Sequence, residues 1–351
     1  MMTIKLKNFG YQVYMLLKLM PNTGRETLAT LSARLHSKNL HHCVSSTDSE
    51  ILIGLEKPLS TDVLSELQSL GCIVECIPVN TPWKLASKTF KNEKTKITIK
   101  NVTIGGPEVI LMAGPCAIES EEQLRSIAEQ LVKAKVKIFR GSAFKPRSSP
   151  YSFQGMGVEG LRLHKMLQEE HHMLIETEVM DVRDVEIVAE HVDIVRIGAR
   201  NMQNFNLLKE VGQCKKPVIL KRGISATVEE WLMSAEYLMA HGNHQVILCE
   251  RGIRTFENST RSTLDLSSVA VAKQMTHLPI IVDPSHAAGR KDIIPALSKA
   301  AVAIGADGLL IEVHHLPSVA KCDGKQALLP RELEELSKEL DAIAKAMGRS
   351  L

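Results

Sequence analysis

Three things are scarce in this sequence. Net charge is the first: 43 Lys and Arg against 40 Asp and Glu leave +3 at neutral pH. No broad basic field exists to hold nucleic acid, so any anion binding must come from locally placed cations. Patterned cysteine is the second. The seven cysteines stand singly or as the spaced pair Cys72 and Cys76, which fits a reducing compartment better than secretion. Long apolar runs are the third: none approaches the ~20 residues that cross a bilayer. The opening MMTIKLKNFGYQVYMLLKLMP carries a basic stretch and a short apolar run. Lys18 and Pro21 interrupt that run and no small-residue cleavage site follows, so no signal peptide is expected. The expectation is a soluble, cytoplasmic protein that engages neither nucleic acid nor membrane.

What is present falls into two rhythms. Residues 11 to about 80 read as strand, helix, strand, strand, helix, strand, with YQVYMLLKL, LHHCVS, EILIGL and GCIVECIPV as the strands. GRETLATLSARLHSK places Leu28, Leu31 and Leu35 at helical spacing, and Ser60 or Thr61 caps STDVLSELQSL. This βαββαβ order predicts a small ferredoxin-like α+β domain over residues 1–80, of a kind that more often binds or regulates than catalyses. TPWKLASKTFKNEKTK, residues 81–96, is polar and aperiodic and reads as a linker. ITIKNVTIGG follows as a short hairpin.

From residue 109 onward, apolar strands alternate with helical stretches. VILMAGP, VKIFRG, MLIETEV, DIVRIGA, PVILKRG, QVILCER, PIIVDPSH and DGLLIEVH are the strands. Capping boxes are expected at Ser120 with Gln123 and at Thr227 with Glu230. Near-continuous apolar strands separated by helices indicate a parallel sheet buried on both faces. Eight such units over residues 97–351, hairpin included, fit a (β/α)8 TIM barrel. An open doubly wound sheet lacks its Gly-rich fingerprint after the first strand.

Barrel chemistry sits at the C-terminal ends of the strands, and there ionisable residues recur: Cys116, Arg140, Glu178, Arg196 with Arg200, Lys221 with Arg222, Glu250 with Arg251, Asp283 with His286, and Glu312. Period-two alternation sets His314 on the face of Glu312, and Asp323 lies in the loop beyond. Cys116, His286, Glu312 and Asp323 mix soft, borderline and hard donors, which suits a divalent first-row ion without selecting one. A lone Cys116 would more often be a small buried apolar residue, and a lone His286 a turn residue. A carboxylate closing GLLIEV is costly to bury unpaired, and the four together favour a metal site. Arg140, Lys145, Arg147, Arg200, Lys221 and Arg251 form a second set. Six cations at one mouth repel unless anions join them, so the substrates carry several negative charges, phosphates above all. His41–His42 and His171–His172 read as exposed or helix-end pairs, and Cys72 with Cys76 as packed thiols.

AGPCAIES, FRGSAFKPRSSPYSFQG, IGARNMQNF, LKRG, ILCERGIRTFE, DPSHAAGR and GADGLLIEVH together resemble the type Iβ 3-deoxy-D-arabino-heptulosonate 7-phosphate (DAHP) synthases, in that family's order and across the whole barrel. The N-terminal part and PWKLASKTF resemble the ACT-like regulatory extension of some members. The resemblance implies condensation of phosphoenolpyruvate with erythrose 4-phosphate and release of phosphate, the first step of the shikimate pathway. It implies Cys116, His286, Glu312 and Asp323 as ligands of Mn2+, Fe2+, Co2+ or Zn2+. It assigns phosphoenolpyruvate to Arg140, Lys145, Arg200, Lys221 and Arg251. Erythrose 4-phosphate falls to Lys145, Pro146, Arg147 and Ser148, with Arg147 on its phosphate. Lys145 is expected to donate a proton to the aldehyde oxygen, assisted by His286, with Cys116 in the catalytic metal site. Feedback by tyrosine or phenylalanine through residues 1–80 and a homotetramer are implied too. Ser148 stands where Thr is common, keeping the hydroxyl. The rivals are 3-deoxy-D-manno-octulosonate 8-phosphate synthase, which takes arabinose 5-phosphate and has Lys-Ala-Asn-Arg-Ser in this loop, and a non-catalytic sensor of aromatic amino acids.

Overall fold

The computed structural model describes residues 14–46, 51–79, 81–134 and 136–351. The N-terminal unit runs β1 Met15–Leu19, α1 Arg25–Ser37, β2 His42–Ser46, β3 Ile51–Leu55, α2 Thr61–Gln68 and β4 Ile73–Pro78. Its antiparallel sheet has the order β2-β3-β1-β4. Alternation along β1 splits the side chains between two faces. Leu17 and Leu19 pack with Leu31, Leu35 and Leu67 of the helices, while Leu16 and Leu52 join Val79 and Trp83 in the main core. The first strand was expected from residue 11; it begins at Met15, and residues 11–13 lie outside the described residues. Ser60 caps α2, its hydroxyl accepting from Val63 N. Cys72 is buried and Cys76 half-buried, both as free thiols in the unit's own core.

Residues 81–96 contain no helix or strand, yet they do not hang free. Trp83, Leu85, Ala86 and Phe90 are buried against the barrel body. The Glu236 carboxylate accepts the Leu85 and Ala86 amides at 2.9 and 3.0 Å. His277 joins the Leu85 carbonyl at 2.7 Å and the Thr95 hydroxyl at 2.8 Å. The polar lettering of this segment conceals four apolar anchors, and its backbone groups find partners on the barrel instead of in water.

The expected hairpin forms as β5 Ile97–Ile99 and β6 Val102–Ile104. Eight parallel strands then close a barrel: β7 Ile110–Gly114, β8 Ile138–Arg140, β9 Leu174–Val179, β10 Ile194–Ile197, β11 Val218–Lys221, β12 Val246–Glu250, β13 Ile280–Val282 and β14 Gly308–Glu312. Around them lie α3 Glu121–Lys133, α4 Val158–His171, α5 Val185–His191, α6 Phe205–Gln213, α7 Val228–Ala240, α8 Leu266–Met275, the short α9 Pro284–Ala288, α10 Ile294–Ala303 and α11 Pro330–Ala346. This is the (β/α)8 barrel with a small α+β unit before it. The two capping expectations part ways. Thr227 and Glu230 form the reciprocal box. Ser120 caps α3 by accepting from Gln123 N, but the Gln123 side chain turns to the Glu119 amide instead of closing the box.

Strand alternation sorts the barrel. Leu111 and Ala113 face the helices, whereas Ile110, Met112, Ile138, Ile194 and Ile219 fill the lower interior with Ile97, Val102 and Ile104 of the hairpin. The barrel is thus filled by apolar side chains at the end where the strands begin. No helix among the described residues is long and apolar enough to cross a membrane.

Candidate functional site

The candidate site residues lie at or just past the C-terminal ends of the barrel strands. Gly114 ends β7 at φ +153°, and a Cβ there would lie 2.0 Å from the Arg140 carbonyl. Only glycine lets these two chains approach so closely. The next loop turns Cys116 inward. β13 hands over to α9 through Asp283, whose Oδ1 accepts the His286 amide at 2.9 Å. The same carboxylate takes His286 Nδ1 at 2.7 Å through Oδ2. That contact fixes the ring, leaving Nε2 pointing into the barrel mouth.

The four expected donors converge. One ligand atom from each of Cys116, His286, Glu312 and Asp323 lies within 4.8 Å of all the others. His286 Nε2 stands 3.2 Å from Glu312 Oε1 and 3.9 Å from Asp323 Oδ2, and Cys116 Sγ lies 3.2 Å from Asp323 Oδ2. Metal–ligand bonds of ~2.0–2.3 Å at tetrahedral angles separate donors by about 3.3–3.8 Å, so the cluster fits a single ion. Its chemistry fits too. Burial pushes the His286 ring down to about 4 against the pull of Asp283 and Glu312, so the ring is neutral at pH 7 with a free lone pair. Burial likewise pushes the Cys116 thiol up, and a binding ion would have to displace its proton. Cys322, 3.3 Å from Cys116 between sulfurs, is a neighbour the sequence did not flag.

Above the cluster opens a cavity of about 470 Å3. It is lined by Lys145, Pro146, Arg147, Ser148, Arg200, Lys221 and Arg251, together with His286 and Asp323. Every expected substrate residue but one therefore meets the same space. The exception is Arg140, fully buried under the cavity, where Nη1 donates to Glu312 Oε1 at 3.0 Å and to the Pro115 carbonyl at 2.9 Å. Its Nε and Nη2 meet no hydrogen-bond partner. Arg251 is held by Ser262 Oγ at 3.0 Å and the His286 carbonyl at 3.1 Å. Lys221 bonds Asp283; burial, aided by Arg196 and Arg140, lowers its pKa while Asp283 opposes the shift. Burial works against the Lys145 ammonium as well, but the attraction of Cys116, Glu178 and Glu312 wins and raises its pKa.

Several strand-end residues have other duties. Arg196 stays inside the barrel against Glu176 at 3.2 Å and Ser142 at 2.6 Å. Arg222 bridges Glu250 at 3.0 Å and Asp265 at 2.9 Å, bracing the loop before α8. His314 does not share the face of Glu312. The strand stops at Glu312, and the His314 ring turns to Gln123 Nε2 at 3.0 Å. Conversely, Arg254 and Arg261 line the cavity without having been placed at the mouth from the sequence, and Glu178, expected there only as a strand end, lines it too. Glu178 reaches it because residue 198 is glycine: a Cβ there would sit 2.0 Å from Glu178 Oε1. Asp283 carried a signal, three residues before His286 at a helix start. Arg261 carried none, since it lies in an aperiodic loop.

The chain matches the DAHP synthetase I family over residues 90–348. It is 43% identical to the phospho-2-dehydro-3-deoxyheptonate aldolase of Thermotoga maritima, covering 95% of this chain and 99% of that one. A 2-dehydro-3-deoxyphosphooctonate aldolase of Syntrophotalea carbinolica is 32% identical and covers 70% of this chain. The crystal structure of the Thermotoga DAHP synthase superposes with a TM-score of 0.77 at 42% identity, covering 96% of this chain and 99% of that one. A truncated form of the Thermotoga enzyme superposes with a TM-score of 0.71 over 76% of this chain and 98% of its own.

Proposed function

Because the chain belongs to the DAHP synthetase I family, we infer that it condenses phosphoenolpyruvate with erythrose 4-phosphate and water to give 3-deoxy-D-arabino-heptulosonate 7-phosphate and phosphate. That reaction opens the shikimate route to the aromatic amino acids. The observation that carries the reading is the stacking of a cation-lined cavity directly on a four-donor cluster. An identity of 43% over 95% of this chain to the heptulosonate enzyme, against 32% over 70% of this chain to the octulosonate relative, favours the four-carbon sugar.

Cys116, His286, Glu312 and Asp323 would hold a divalent ion, Mn2+, Fe2+, Co2+ or Zn2+. When bound, such an ion supplies Lewis acidity toward the sugar aldehyde. The residues of the chain do the rest. Lys145, Arg200, Lys221 and Arg251 grip the carboxylate and phosphate of phosphoenolpyruvate, and Arg140, whose Nε and Nη2 lack partners, would add its charge to the same site. Arg147 and Ser148 take the phosphate of the sugar, and Pro146 shapes the wall. Two anions held in one cavity make a bimolecular encounter an oriented one. C3 of phosphoenolpyruvate bonds to the aldehyde carbon, Lys145 gives its proton to the aldehyde oxygen, water adds at C2, and phosphate leaves. His286, oriented by Asp283, stands beside that proton transfer.

The small unit of residues 1–80, the connecting residues 81–96 and the barrel of residues 97–351 are read as regulatory, linking and catalytic parts of a cytoplasmic homotetramer. The effector is tyrosine or phenylalanine. An independent core in the small unit supports this division. Phosphate release with each sugar phosphate, with and without chelator, tests the activity. Turnover with erythrose 4-phosphate that is lost on chelation and restored by Mn2+ is expected. Preference for arabinose 5-phosphate, or aromatic amino acid binding without phosphate release, would overturn it. Deleting residues 1–80 should leave an active enzyme insensitive to both amino acids; retained inhibition places the effector elsewhere.

A further inference from the structure

A second polar cavity of about 640 Å3 adjoins the first, and Arg261 and Asp323 line both. Arg261 comes from the loop between β12 and α8. Its Nη1 donates to Asp323 Oδ1 at 3.1 Å and to Gln326 Oε1 at 3.0 Å. Buried Gln326 in turn donates from Nε2 to Glu312 Oε2 at 2.5 Å. A continuous chain, Asp323–Arg261–Gln326–Glu312, therefore ties together the two carboxylates of the donor cluster. It uses only one oxygen of each. Asp323 Oδ2 is left facing Cys116 and His286, and Glu312 Oε1, which also accepts from Arg140 Nη1, faces His286.

Two further features show that this bracket is built in. Asp323 has φ +51°, a left-handed conformation that few residues other than glycine, asparagine and aspartate adopt, and from it the carboxylate meets Arg261. Position 289 is glycine, and a Cβ there would lie 2.5 Å from the Cβ of Arg261. The passage of the arginine stem depends on that gap.

We propose that Arg261, acting through Asp323 and with Gln326, is a positioning residue that aims both carboxylates and retains the divalent ion. This role is separate from the cations that grip substrate, and it rests on the metal site of the functional reading above. Charge and geometry oppose each other here. As a bare positive charge, Arg261 would weaken cation binding, and its removal would tighten it. As a bracket, it strengthens binding, and its removal weakens it. The sign of the effect therefore decides.

The experiment uses the full-length Mn2+-loaded enzyme and measures metal affinity and release by competition with a chromogenic chelator, with no turnover required. Arg261→Met should weaken Mn2+ binding roughly 10- to 100-fold, the usual scale for groups that orient metal ligands, chiefly by faster release. At saturating Mn2+, kcat and both KM values should return to within about threefold of the parent. Arg261→Lys keeps the charge but not the reach of the guanidinium, and should fall between the two; it carries the same test if the methionine variant does not fold. Unchanged or tighter Mn2+ binding in Arg261→Met overturns the proposal. So does a raised KM for the sugar phosphate that saturating metal does not repair, which would make Arg261 a substrate cation. A parent enzyme that binds no Mn2+ would instead overturn the metal site itself.

Discussion

The lower half of the barrel interior is hydrocarbon. Ile110, Met112, Ile138, Ile194, Ile219 and Ile247 interlock there, and the β5–β6 hairpin closes them from below. The upper half, a few residues further along the same strands, holds Arg140, Glu176, Arg196, Lys221, Asp283 and Glu312, all buried. The lower half gains by excluding water, about 25 cal/mol for each Å2 removed from it. The upper half meets the opposite problem, because buried charges are costly unless each finds a partner. Some partners are present, as in the 3.0 Å Arg140–Glu312 pair. Others are absent, as at Arg140 Nε and Nη2. One closed sheet thus joins a half that is complete on folding to a half that folding leaves with unpaired buried charge.

Substitutions should separate the two halves. The largest effect belongs to the top: Lys145→Met should lower kcat about 1,000-fold or more, leaving the thermal midpoint nearly unchanged. Near-normal turnover with both substrates saturating would remove the proton-donor role. At the bottom, Ile219→Ala should cost about 2–5 kcal/mol in denaturant unfolding while kcat at saturating metal stays within about threefold. A large kcat loss there would mean that the halves are mechanically coupled.

Acid tests the wall between barrel and helices. His164 on α4 is buried edge-on to Phe139, and burial, helped by Arg196, holds its pKa down to about 3. Its folded pKa is depressed, so above pH ~6.5 the ring is neutral in both states and the stability is fully present. As pH falls from 6.5 toward 3, only the unfolded chain takes the proton. Between pH 6.5 and 4.5 this should cost about 2–3 kcal/mol. His164→Leu should flatten that slope in unfolding measured across the same range. The smallest effect concerns the connecting segment: Glu236→Ala should cost about 1–2 kcal/mol with kcat unaltered, read by thermal melting and turnover together.

Much of this was legible in the letters. The eight strands announce themselves because a parallel barrel buries both faces of each, and almost every apolar run carries an ionisable residue at or just past its end. The candidate donors Cys116, His286 and Glu312 and the candidate cations Arg140, Lys221 and Arg251 follow from that register, whereas Asp323 lies in the loop beyond β14. What escaped lies where no period operates. Arg261, Gln326 and Cys322 sit in loops whose paths are set by distant contacts, such as the gap left at Gly289. His314 misled because alternation holds only within a strand, and β14 ends two residues earlier. The connecting segment read as polar because Lys and Thr outnumber the few apolar side chains that do the packing.

That segment also sets a leash. The last sheet contact of the small unit is Val79 N to the Tyr14 carbonyl at 3.0 Å, and the first barrel contact made by a backbone amide is Leu85 to Glu236 at 2.9 Å. Six residue steps at ~3.5 Å each span no more than about 21 Å, roughly the length of a 13-residue helix such as α7. A small unit that moved against its barrel could not travel to the far end without peeling the segment away. The Leu85 and Ala86 amide protons would then exchange with solvent, so deuterium uptake at those two positions distinguishes a pivot from a release.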